Sequence, residues 1–168
     1  MDVNIQTDIF DPAQALGWQI ATAESCTGGL IAAALTHPPG ASSCVAGGIV
    51  TYSNAMKHAL LFVPAICFEK HGAVSRECVA SMAEGCLKAT GTQLAVSVSG
   101  IAGPTGDSTE KPLGLVYFGL MADGDTKAKT HKKVFGGDRQ KVREHATDYA
   151  LKLLAQRLAE ETDKKKED

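Results

Sequence analysis

No apolar run in this chain is long enough to cross a membrane; stretches such as Leu30 to Leu35 fall far short of the roughly 20 residues a spanning helix needs. Charge of one sign is not in excess either: 17 Lys+Arg face 19 Asp+Glu, a formal net charge of -2. Counterion release from a duplex needs a clustered basic surface, so nucleic acid is not an expected partner. The acidic start, with Asp2, Asp8 and Asp11, lacks the basic region of a signal peptide, which predicts a cytoplasmic protein. The five cysteines, Cys26, Cys44, Cys67, Cys78 and Cys86, form no C-x-x-C pair and have no histidine at zinc-finger spacing. That excludes a disulfide framework and a structural zinc site, and predicts buried free thiols. No repeat, Pro-rich linker or low-complexity block divides the sequence.

What is present fits one globular domain: 168 residues, 44% hydrophobic, with 17 glycines. A chain of this size buries roughly 70% of its unfolded surface without metal or disulfide staples. Residues 1–160 are expected to form that domain. From Glu160 onward apolar periodicity is lost, so 161–168 reads as a charged flexible tail.

The pattern predicts a short helix capped by Asp11, with Pro12 in its first turn and Gly17 as its stop. An apolar strand follows from Trp18, then the polar turn Ser25 to Gly29 and a helix from Leu30. Cys44 to Tyr52 reads as a strand, with Ser53-Asn54 capping a helix through Leu61. Ser75 starts an amphipathic helix stopped by Gly91. Leu94 to Ser99 is a strand leading into the loop Gly100 to Pro112. Leu115 to Met121 and Lys127 to Phe135 form a hairpin about Asp123-Gly124-Asp125, and Asp138 caps a long final helix. Helices interleaved with early strands and a late hairpin predict a three-layer α/β/α domain with a mixed sheet.

Chemistry concentrates in the Ser25 to Gly29 turn. A hydroxyl between a strand and a helix N-terminus stands where unpaired backbone N–H groups favour an oxyanion or phosphate. The Gly-Lys-Ser/Thr ending of a phosphate loop is missing, which disfavours a nucleotide triphosphatase. A serine so placed is either a helix cap or a nucleophile, and a nucleophile needs a base. His37, His58, His71, His131 and His145 have no spacing that selects one of them. Lys57, in the apolar company of Met56, Leu60 and Leu61, is the other option; it is a base only if burial tunes it, and a snorkelling helix lysine otherwise. At a pKa of about 10.4 only about one lysine in 2,500 is neutral at pH 7; lowering it to about 8 leaves roughly a tenth neutral, at about 3 kcal/mol. Gly100 to Pro104 leaves a predicted strand end, where ligands gather in α/β sheets. Arg139 and Arg143, one helical turn apart, are either a phosphate grip or a solvated pair.

Six ordered segments carry a family resemblance: Thr22-Ala23-Glu24-Ser25-Cys26-Thr27-Gly28-Gly29, Thr51-Tyr52-Ser53-Asn54 with Lys57, His71 to Ser75, Ser97 to Pro104, Glu110 to Gly114, and Gly137-Asp138-Arg139. Over about residues 12–158 the chain resembles the CinA C-terminal domain family, whose characterised members are nicotinamide mononucleotide amidohydrolases. The resemblance implies a serine–lysine hydrolase with Ser25 as nucleophile and Lys57 as base, converting nicotinamide mononucleotide to nicotinate mononucleotide and ammonia, with no cofactor and no metal. It places Thr27, Gly28, Gly29, Tyr52, Asn54, Ser99, Gly100 and Gly103 around the substrate, and Arg139 on its phosphate. Backbone N–H groups around Thr27 to Gly29 are the candidates for holding the oxyanion. Many relatives carry an upstream molybdopterin-binding-like domain for which 168 residues leave no room, so the stand-alone form is expected, self-associating as a homo-oligomer, most simply a dimer. The competing reading is a non-catalytic nucleotide-binding or competence-associated module, or the same chemistry on another amide.

Overall fold

The structure is a computed structural model and describes residues 3–105, 108 and 110–167. Parts of the expected loop at 106, 107 and 109, and the chain ends at 1, 2 and 168, lie outside the described residues. Five strands form one mixed sheet in the order β2-β1-β3-β4-β5: β1 (Ile20–Glu24), β2 (Val45–Val50), β3 (Leu94–Gly100), β4 (Leu115–Ala122) and β5 (Lys129–Val134). β1 runs parallel to both β2 and β3, β4 adds antiparallel to β3, and β5 pairs antiparallel with β4 as the expected hairpin. At the hairpin turn the Asp125 carboxylate accepts from the Ala122 N–H at 2.8 Å and Gly124 takes a positive φ of 84°.

Period-two alternation sorts the strands' side chains between two helical layers. Ile20, Leu94, Val96, Val98 and Phe118 face one core, closed by α1 (Asp11–Leu16), α2 (Leu30–Thr36) and α6 (Arg139–Glu167). Ala21, Ala23 and Ala95 face the other, closed by α3 (Asn54–Leu61), α4 (Ala65–His71) and α5 (Arg76–Thr90). The three-layer architecture follows from that division.

Several caps match the sequence expectation. Ser53 and Ser75 accept from the N–H groups of Met56 and Cys78, and Asp138 accepts from Lys141. Gly17 and Gly91 end α1 and α5 with left-handed φ values of 71° and 66°.

Two expectations need correction, and one helix was not foreseen. The first helix is capped by Asn4, not Asp11, because a π-helical turn over Ile5–Phe10 runs directly into α1. α4 was not predicted: it has only seven residues, of which Cys67 alone is buried, too little for a periodic signal. Residues 161–167 are helical, a continuation of α6, where the sequence predicts a flexible tail. Extending an existing helix needs no new nucleus, and the pairs Arg157–Glu161, Lys164–Glu161 and Lys166–Asp163 line its last turns. Among the described residues no helix is long and apolar enough to cross a membrane.

Candidate active site

β1 is the sheet's switch point, with one parallel neighbour on each side, and the crevice beyond its carboxyl end is where an α/β sheet receives a ligand. Ser25 is the first residue past that end. Its N–H donates to the Val98 carbonyl at 3.1 Å, and the Thr51 N–H donates to the Glu24 carbonyl at 2.8 Å, so the ladder fixes the turn on both flanks. Alternation along β1 sends the Ser25 side chain to the α3 and α5 side.

Lys57 comes to meet it. On α3, started by the Ser53 cap, Lys57 is the fourth residue and, like Leu61 one turn on, faces inward, 1% exposed. Its Nζ lies 3.0 Å from Ser25 Oγ and 2.9 Å from the Thr51 carbonyl oxygen. Burial pushes its pKa below the ordinary 10.5, and among the described residues no carboxylate forms an ion pair with it. Nζ donates to the Thr51 carbonyl and to Ser25 Oγ; once the amine is neutral, its lone pair can instead accept from the Ser25 hydroxyl at the same distance. Cys26, beside the serine, is 5% exposed and burial pushes its thiol up to about 12, so it stays protonated and unreactive at neutral pH.

A pocket of about 210 Å³ opens over this pair, lined by Tyr52, Asn54, Ala73, Val74, Ser99, Gly100, Ala102 and Arg139. Ser99 faces it only in part, since its hydroxyl donates to the Ala73 carbonyl at 2.7 Å and thereby fixes that wall. Arg139 stands at the rim, donating to the Gly103 carbonyl at 2.7 Å and to the Tyr52 hydroxyl at 3.0 Å. A larger depression of about 700 Å³ lies away from this pair, between β5 and α6 around Phe135, His145 and Tyr149.

The Thr27 side chain, Gly28 and Gly29 do not line the pocket, and the reason is Glu24. This carboxylate is fully buried and accepts five hydrogen bonds, from the hydroxyls of Thr22 and Thr27 and the N–H groups of Gly29, Ile31 and Ala32, at 2.7–3.1 Å. The start of α2 is therefore filled by the chain's own anion, and the turn wraps around it. Gly28 and Gly29 supply the left-handed φ values, 62° and 101°, that the wrap requires. Glu24 and the Thr51 carbonyl were missed from sequence: both belong to quoted motifs, but only the folded geometry gives them partners. Arg143 does not join Arg139 at the pocket.

Fold and site together define an α/β protein with a buried hydroxyl–amine pair at the carboxyl edge of a mixed sheet. The chain belongs to the CinA C-terminal domain family, whose model matches residues 2–158. Over 147 residues, 88% of this chain and 89% of the relative, it is 50% identical to a protein of Enterobacter agglomerans named nicotinamide-nucleotide amidohydrolase PncC. It is 48% identical over 142 residues to a CinA-like protein of Leptospira biflexa, but spans only 34% of that protein's length. Among solved structures, competence damage-inducible protein A from Klebsiella pneumoniae superposes with a TM-score of 0.87 at 37% identity, covering 92% of this chain and 95% of that one. The competence/damage inducible protein CihA from Agrobacterium tumefaciens gives 0.84 at 41% identity, covering 89% and 90%.

Proposed function

We propose that this protein is an amidohydrolase that deamidates nicotinamide mononucleotide, with Ser25 as nucleophile and Lys57 as the base that serves it. The observation that carries the reading is the 3.0 Å approach of Lys57 Nζ to Ser25 Oγ inside a buried setting that favours the free amine. The half-identical relative named nicotinamide-nucleotide amidohydrolase supplies the substrate class.

Lys57 takes the Ser25 proton as Oγ bonds to the carboxamide carbon, giving a tetrahedral oxyanion. Collapse breaks the C–N bond, and the Lys57 ammonium gives its proton to the departing nitrogen, which leaves as ammonia. Water, deprotonated by the again neutral Lys57, attacks the ester; the C–Oγ bond breaks and the proton returns to Ser25, releasing nicotinate mononucleotide. Tyr52, Asn54, Gly100 and Ser99 wall the ring. Arg139 retains N–H groups at the rim for the 5′-phosphate, which a guanidinium grips by two hydrogen bonds. None of these steps calls for a cofactor or a metal.

The test is ammonia release from nicotinamide mononucleotide by the purified protein. Ser25→Ala and Lys57→Ala should each lower kcat by about a thousandfold or more. Tight binding without ammonia release by the unaltered protein would instead assign a nucleotide-binding module, and release from another amide alone would move the substrate.

The same reading places the enzyme in the cytoplasm, as one domain over 1–160 that works as a dimer. Supporting self-association, Val50 on edge strand β2, Met56 and Leu60 on α3, Phe62, and Ile66 on α4 are large apolar side chains 41–51% exposed. Sedimentation velocity should give twice the mass of the 17.6 kDa chain.

A further inference from the structure

Arg143 follows Arg139 by one turn of α6, yet it turns away from the pocket. Its Nε donates to the Cys26 carbonyl at 3.1 Å and its Nη2 to the Thr27 carbonyl at 2.9 Å, so one guanidinium grips two successive carbonyls of the nucleophile's turn. The fit is close: a Cβ on Gly28 would come within 3.3 Å of Nη2. Long-range purchase of this kind on a loop of glycines and small residues fixes peptide planes that the loop's own sequence leaves free.

The consequence runs through the peptide bond. Among the described residues the cis bond is Gly103–Pro104, so the Cys26–Thr27 unit is trans, with its C=O and N–H antiparallel. Drawing the Cys26 carbonyl toward α6 therefore turns the Thr27 N–H away from α6, toward the side on which Ser25 leaves β1. The later amides of the turn are occupied: Gly28 N–H by the Ser25 carbonyl at 3.1 Å, Gly29 N–H by Glu24 at 3.0 Å, and Leu30 N–H by the Thr27 carbonyl at 3.3 Å. The N–H groups of Cys26 and Thr27 donate to no other residue among those described. Two adjacent unpartnered amides beside a buried hydroxyl mark where negative charge is received.

We infer that Arg143 is a positioning residue: it holds the Cys26–Thr27 peptide so that the Thr27 N–H, with that of Cys26, receives the oxyanion formed when Ser25 attacks. The inference rests on the amidohydrolase reading above and narrows the oxyanion donors, expected across Thr27 to Gly29, to these two. A cationic donor on the Cys26 carbonyl also polarises that peptide, strengthening its N–H as a donor.

Arg143→Gln and Arg143→Lys, assayed for kcat and KM on nicotinamide mononucleotide, test it. Thermal melting and affinity for the product nicotinate mononucleotide report folding and ground-state binding. A fluorophosphonate serves as a probe of Ser25, because its adduct puts a phosphoryl oxygen where the oxyanion forms. For Arg143→Gln, kcat should fall about tenfold or more, the fluorophosphonate rate should fall in parallel, and KM and product affinity should stay within about threefold. Arg143→Lys, keeping one donor, should fall between this variant and the unaltered protein; if the Gln variant does not fold, the Lys variant carries the same comparison. An unchanged kcat in a variant that melts normally overturns the inference. So does a raised KM with unchanged kcat, which would make Arg143 a phosphate ligand. Full turnover by Ser25→Ala is a different failure, that of the amidohydrolase reading itself.

Discussion

At Lys57 the balance of forces has a direction. Burial lowers its pKa, and ionised Cys78 or Cys26 would raise it; but burial pushes both thiols up to about 12, so near neutrality they are uncharged and desolvation prevails. A base must be unprotonated to act, so kcat/KM should climb with pH through the lowered lysine pKa and level off below 10.5. Lys57→Arg, whose guanidinium holds its proton throughout, should be inactive across the same pH–rate profile. The linkage to stability has the same sign: the unfolded chain keeps this proton up to about 10.5 and the folded one releases it earlier, so Lys57 destabilises the fold less as pH rises through that window. Residue chemistry alone left Ser25 as cap or nucleophile and Lys57 as base or snorkelling side chain. Nothing in a linear sequence brings together residues 32 positions apart; the ordered motifs singled out the pair. Glu24 stayed silent because a strand-end glutamate reads as solvated until α2 is laid over it.

Among the elements, α3 carries the lysine and α5 holds α3 in place. The contact is made through Gly85, where an added Cβ would overlap the Leu61 carbonyl at the end of α3. No periodicity argument marks that glycine, since Val79, Met82, Ala83 and Cys86 already complete the apolar face. Gly85→Ala should cost about 3 kcal/mol of stability, read from the denaturant midpoint, because backbone cannot yield as a side chain tip can. It should also lower turnover, since displacing α3 moves Nζ from the serine. Capped elements were legible to within a residue or two: the Ser53, Ser75 and Asp138 caps and the Gly17 and Gly91 stops each act locally. The π-helical start, α4 and the last turns of α6 were not, because they depend on continuity with neighbours more than on their own pattern.

For the whole molecule, the hairpin and the final helix are joined by one buried clasp. Arg157, 4% exposed, donates two hydrogen bonds to Asp125, at 2.8 and 3.0 Å. Burial alone would push the Asp125 carboxyl up; the hydrogen bonds from Arg157 and the Ala122 N–H outweigh it and hold the group below 3.8. A carboxylate with a lowered folded pKa lends stability that is complete above its ordinary value and lost as pH falls through the folded one. Asp125→Asn should therefore cost about 3 kcal/mol at pH 7 and progressively less as pH falls below the ordinary carboxylate value of 3.8, measured by denaturation at each pH. The three-layer class followed from counting and ordering elements. The sheet order, which makes β1 the switch point and puts a crevice beside Ser25, is a long-range property that local patterns do not encode.

Glu24 gives the turn an unusual relation to its surroundings. A helix start ringed by glycines ordinarily competes for whatever anion the solvent offers, and its occupancy then follows the salt around it. Here the competitor is tethered in the chain, permanently at hand and beyond dilution. Inorganic phosphate or sulfate has no vacancy to fill behind the nucleophile, whatever its concentration in the medium. Sensitivity to such ions is left to the pocket rim, where Arg139 meets solvent, so the part that reads the substrate and the part that aligns the serine answer to different chemical conditions.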